Sequence, residues 1–105
     1  MAARNTRFPG RAPSHPGAVL REIVLPAAAL PVAVAARRLR ISRQTLHKLL
    51  AEKIAVTPAM ALRLSRMLGS TPDFWLRMQS AHDLWHERRV LAADLAAIEP
   101  IERAA

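Results

Sequence analysis

The dipeptide Thr-Pro occurs twice, at Thr57-Pro58 and Thr71-Pro72, and these two copies constrain the fold more than any other feature of the chain. A threonine hydroxyl can accept a free amide at the start of a helix. A proline at the next position suits the first turn, because its missing N–H has no helical partner to lose. One expected helix therefore runs from Pro58 to Leu68, with Ala61, Leu64 and Leu68 inward, Arg63 and Arg66 outward, and Gly69 as the stop. The next begins at Pro72 and meets no breaker until Pro100. On it Trp75, Met78, His82 and Trp85 share one face, which is expected to be core.

The preceding residues are punctuated in the same way. Pro16-Gly17 opens a first expected helix with Val19, Leu20, Ile23 and Val24 as its apolar stripe, ended by Pro26. Pro31 stands where a second begins, and Val32, Ala35, Ala36 and Leu39 continue it at helical spacing. Arg40-Ile41 is a short turn. Ser42 then caps a third helix whose Leu46, Leu49 and Leu50 point inward. Twenty-one alanines favour helix throughout, no strand pattern alternates, and no longer repeat is present. The expectation is an all-α, five-helix domain with a long C-terminal helix.

A length of 105 residues with 51% hydrophobic side chains suits one small folded domain. We expect a mobile basic tail over residues 1–14, a helical domain over 15–90, and a C-terminal helical extension and tail over 91–105. The tail's Arg-rich composition also fits an organelle transit peptide, but it lacks the apolar core of a secretory signal. With no cysteine in the chain, disulfides and thiolate chemistry are excluded, and a reducing cytoplasm is the expected location. The longest uncharged stretch, residues 23–36, is shorter than the roughly 20 residues of a membrane span and contains two prolines. No membrane partner is expected.

The net charge is +8, and its distribution is one-sided. Residues 1–53 hold ten basic and two acidic side chains, whereas residues 54–105 hold six of each. A polyanion is the expected partner of the first half. Only Arg40 and Ile41 separate the second and third helices, the spacing of a helix-turn-helix. With its leucines inward, the third helix turns Arg43, Gln44, His47 and Lys48 outward. Arg and Lys donate to guanine O6 and N7, and Gln pairs with adenine N6 and N7. Ser42 and Thr45 can hold a phosphate, while Arg37, Arg38, Arg40 and Lys53 add phosphate attraction.

Three segments together, HPGAVLREIVLP, LPVAVAARRLRISRQTLHKLLAEK and VTPAMALRLSRMLGSTPDFWLRMQSAHDLW, resemble the HigA antitoxins, members of the Xre/Cro-type helix-turn-helix proteins. The resemblance covers His15 to about Arg89. It implies a five-helix lambda-repressor-like fold and a homodimer that represses its own operon from double-stranded operator DNA. It also implies neutralisation of a HigB-type toxin, a RelE-like mRNA-cleaving ribonuclease. Residue by residue, it places Arg43, Gln44 and Lys48 at base-reading positions, Thr45 and Lys53 at backbone contacts, and His47 at the periphery.

Three positions depart from the family pattern. Pro31 stands where a polar cap is common, Val32 where a glutamine often holds a phosphate, and Arg40 where the turn often has glycine. Two alternatives therefore stay open: a toxin-binding module with weakened operator recognition, and a stand-alone phage-type repressor. On the last helix, Leu76, Leu84 and Leu91 remain for a dimer interface.

Catalytic chemistry finds no support. His82 and His86 are four residues apart but have no third ligand, so neither a metal nor another cofactor is expected. Asp83 and Glu87 are expected to pair with Arg88 or Arg89 at the surface. There is no nucleophile elbow and no phosphate-binding glycine loop, and the chain is read as a non-enzyme. Three glycines and no strand pattern also argue against the sheet-based RNA binders.

Overall fold

The computed structural model describes residues 11–102, and six helices lie within them: α1 (Pro16–Ala27), α2 (Val32–Leu39), α3 (Arg43–Leu50), α4 (Pro58–Leu68), α5 (Pro72–Val90) and α6 (Ala92–Ala97). No strand is present among the described residues. Residues 1–10 of the expected basic tail and the last three residues lie outside the described range. No single helix there is long and apolar enough to cross a membrane.

Both Thr-Pro starts form as the sequence implies. Thr57 accepts from the Met60 amide at 3.2 Å and Thr71 from Phe74 at 3.3 Å. Gly69 closes α4 in the left-handed region at φ 80°. α4 and α5 then pack against each other, fastened by the Val56 amide donating to the buried Gln79 Oε1 at 2.8 Å.

α1 differs from expectation. Pro26 does not end it, because the segment Leu20–Val24 widens into a π-helical turn in which the Leu25 amide reaches back to the Leu20 carbonyl. An ordinary α-turn would clash with the proline ring and leave a carbonyl unpaired, and the wide turn carries the helix past that point to Ala27. It also rotates the buried face. Leu20 and Leu25 join the core, Val24 packs at its edge, and Ile23 faces solvent.

Two further expectations change. Pro31 is the extended cap residue of α2 and not its first helical residue. The last helix breaks at Leu91, so α6 is a separate element. On α5 only Trp75 of the anticipated stripe is fully buried, with its indole N–H donating to Ser70 at 2.8 Å. Met78, His82 and Trp85 are half-buried, and Arg89 stacks 3.3 Å over the Trp85 ring. The core is Leu20, Leu25, Ala35, Ala36, Leu39, Leu46, Leu49, Leu50, Val56, Met60, Ala61, Leu64 and Trp75. Its alanines lie on α2 and α4, where small side chains allow close helix approach to the helix-turn-helix.

Candidate nucleic-acid interface

α3 is amphipathic in the simplest way. Leu46, Leu49 and Leu50 are buried, so Arg43, Gln44, His47 and Lys48 stand exposed on the opposite side. None of the four makes a side-chain hydrogen bond or ion pair among the described residues. Ser42 caps the helix by accepting from the Thr45 amide at 3.0 Å, and its own hydroxyl donates to Thr45 Oγ1 at 2.8 Å. Ser42 thus both accepts from and donates to Thr45. The Thr45 hydroxyl proton stays available for a phosphate.

The turn before α3 is built on Arg40, which takes φ 62° and ψ 44°. Its amide donates to Arg37 O and the Ile41 amide to Ala36 O, the paired bonds that close a helix on a left-handed residue. Arg40 thus takes the left-handed conformation that glycine favours. Arg63 of α4 clasps this end, donating Nη1 to Leu39 O at 2.8 Å and to Arg40 O at 3.3 Å. Arg38, Arg40, Arg63 and Arg66 rim a groove of about 530 Å³ floored by Leu39, Leu62 and Met67. Arg37 is exposed beside them. The sequence reading placed Arg63 and Arg66 outward but missed their convergence with the turn. Their spacing of three on a helix facing α2 is the signal that would have found it.

α3 ends in the same manner, on Glu52 at φ 63°, with the Lys53 amide donating to Lys48 O and the Glu52 amide to Leu49 O. This bond places the exposed Lys53 just past the recognition face. Here the clasp comes from α1. Arg21 Nη1 donates to Leu50 O at 2.5 Å and meets Glu52 at 3.3 Å, while Nη2 meets Glu22 at 2.7 Å. Gly17 lies so close to α3 that a Cβ there would overlap the Leu49 carbonyl. The HPG motif thereby gains a physical reason, because only glycine lets α1 seat against the recognition helix.

His15 caps α1 by accepting from the Gly17 amide at 2.9 Å through Nδ1, and it is buried. Burial and the neighbouring His82 hold its pKa below the usual histidine value. The His15 and His82 rings meet edge-on at 4.9 Å, and His82 and His86 lie 4.4 Å apart. Asp83 does not pair with Arg88 or Arg89. It accepts from Gln79 Nε2 at 3.0 Å and lies 3.1 Å from His82 Nδ1. Burial pushes its carboxyl up, but the His82 and Gln79 hydrogen bonds outweigh this and hold it below the usual range. Among the described residues no group of three His, Asp or Glu side chains is placed to hold a metal ion. Of the residues named for a dimer interface, Leu84 and Leu91 are exposed, whereas Leu76 packs partly against its own core.

No family model matches the chain. An uncharacterised helix-turn-helix regulator of Haemophilus influenzae is 31% identical over 93 residues, spanning 86% of each chain. The structure of Pseudomonas aeruginosa antitoxin HigA, solved with the higBA promoter, matches with a TM-score of 0.80 at 30% identity, covering 86% of this chain and 99% of that one. Antitoxin GraA matches with a TM-score of 0.82 at 34% identity, over 88% of this chain and all of that one.

The chain belongs to the HigA family of helix-turn-helix antitoxins. GraA has also been solved in complex with its operator, and that structure matches with a TM-score of 0.81 at 34% identity, over 90% of this chain and 96% of that one. As a HigA-family protein the chain is a non-enzymatic regulator, in keeping with its sequence. Its three departures are absorbed by the family fold. Pro31 keeps extended cap geometry, Val32 packs at the core edge, and Arg40 holds the left-handed turn.

Proposed function

We propose that the protein is an antitoxin that represses its own operon by binding operator DNA as a homodimer, and that it neutralises a HigB-type, RelE-like ribonuclease toxin in the cytoplasm. The observation that carries the DNA reading is the row Arg43, Gln44, His47 and Lys48, exposed on a helix whose far end and preceding turn are each clasped by an arginine. Arg43, Gln44 and Lys48 read base edges in the major groove. Thr45, positioned by Ser42, holds the backbone with Lys53, Arg37, Arg38 and Arg40, and His47 contacts the periphery. The operator and promoter complexes of GraA and HigA support this reading. Exposed Leu84 on α5 and Leu91 at the break after it, with the free edge of Leu76, supply the dimer contact, and the half-sites lie about 34 Å apart.

A gel-shift titration against the chain's own promoter and a random duplex of equal length tests the proposal. A strong preference for the promoter is expected, and equal affinity for both refutes the repressor reading. Co-expression with the adjacent reading frame tests the toxin partner by co-purification and by rescue of growth. The alternative, a toxin-binding module with weakened operator recognition, is favoured by Val32, whose side chain cannot hydrogen-bond a phosphate. Pro31 leaves the first amides of α2 without a side-chain cap, and these can meet a phosphate directly. The same titration separates the two readings.

A further inference from the structure

The arginine-rimmed groove beside the turn has a floor that DNA does not explain. Its rim is Arg38, Arg40, Arg63 and Arg66, and Leu62 and Met67 lie between them. Leu62 is 59% exposed. Among the described residues none of the four guanidinium groups has a carboxylate partner. A phosphate would answer the charge and leave the aliphatic floor wet. An acidic segment that also carries aliphatic side chains answers both.

The chain contains such a segment. Beyond α6 the backbone turns extended at Ile98, with φ −81° and ψ 119°, and Pro100 opposes renewed helix. Ile98 and Ile101 are 66% and 86% exposed. Glu99 and Glu102 have no cationic partner among the described residues. The segment is not seated in its own groove, because both isoleucines are exposed and neither glutamate meets the arginine rim. The groove is lined by residues of α2, α4 and the turn after α2, whereas α6, which leads into the tail, packs against α5.

We propose that residues 98–102 of a second copy dock in this groove, with Glu99 and Glu102 on the arginine rim and the isoleucines on Leu62 and Met67. Two copies exchanging tails satisfy both grooves and close the pair without leaving an open end. This contact is separate from the α5 interface proposed above. It also uses Arg38 and Arg40, so a docked tail and a phosphate compete for the same two side chains.

The absence of native cysteine makes a disulfide test direct. Full-length Leu62→Cys and Ile101→Cys proteins are mixed in equal amounts and oxidised with diamide. The mixed disulfide is expected to exceed either self-disulfide at least fivefold, and to fall to the self-disulfide level when Glu99→Arg and Glu102→Arg are added to the Ile101→Cys chain. Self-disulfides alone, or a mixed product indifferent to charge reversal, overturn the proposal. Arg66→Glu that weakens DNA binding while no mixed disulfide forms would show the groove to be a DNA contact, which also overturns it. A dimeric mass by light scattering without the mixed disulfide leaves the α5 interface standing and refutes tail docking alone.

Discussion

The turn that ends α2 and the loop that ends α3 are built alike and charged differently. Each stops on a non-glycine residue in the left-handed region, Arg40 or Glu52, and each has its last carbonyls held by an arginine from a neighbouring helix. At the α3 end, Arg21 is shared with Glu22 and Glu52 and its charge is locally neutralised. At the α2 end, Arg63 has no acid partner among the described residues and sits among Arg38, Arg40 and Arg66. One backbone solution thus yields a neutral brace on one side of the recognition helix and an electropositive shoulder on the other. The brace fixes geometry, and the shoulder fixes geometry while also attracting polyanions.

The largest expected effect breaks the brace. Gly17→Ala forces α1 off the Leu49 carbonyl and should cost about 3 kcal/mol, seen as a lower urea midpoint with an unchanged slope. Next, Arg63→Ala removes donors from two carbonyls and a charge from the shoulder. It should cost about 1 kcal/mol in unfolding and weaken promoter and random duplex alike, and a loss of promoter preference alone would contradict the non-specific role.

Arg40→Gly separates backbone from charge. Relief of the left-handed penalty should stabilise the fold by about 1 kcal/mol, while the slope of log affinity against log salt falls by about 0.9. Ala29→Gly, at φ 55°, should give the same stabilisation with no change in that slope.

Acidification gives a smaller effect, confined to the brace side. Because the folded protein holds His15 below its ordinary value of 6.5, the unfolded chain takes up the proton first. Stability is therefore full above that pH and declines as pH falls below it. His15→Gln should flatten this decline in thermal melts, and an unchanged pH profile would assign it to other groups. Smallest of all, Arg21→Ala should leave the salt slope within error, since its charge is already matched by two glutamates.

Most of the fold was legible because it rests on local chemistry. Thr57, Thr71, Ser42 and Gly69 signal helix ends through a side chain or a missing one, and the leucines of α3 set its outward face. What escaped the sequence rests on contacts between distant segments. Pro26 reads as a stop unless the turn before it widens, and the left-handed role of Ala29 and Glu52 is invisible in residue type. Gln79 reads as surface polar until the Val56 amide is brought beside it. The exposed row of α3 was legible for the same reason as the fold, since burial of three leucines dictates the opposite face. The convergence of Arg63 and Arg66 with Arg38 and Arg40 was not, because it depends on how α4 crosses α2.

The wide turn at Leu20–Val24 has a consequence for the chain's length. It accommodates one residue more than an α-helix would need, and that residue sets the angular offset between the half of α1 that seats Gly17 on α3 and the half that seats Leu25 in the core. Removing a single residue from the turn would return Pro26 to an ordinary α-turn and put the two ends of the helix out of phase by about 100°. The irregularity is what lets one helix meet two partners in register, so this segment should tolerate substitution far better than deletion.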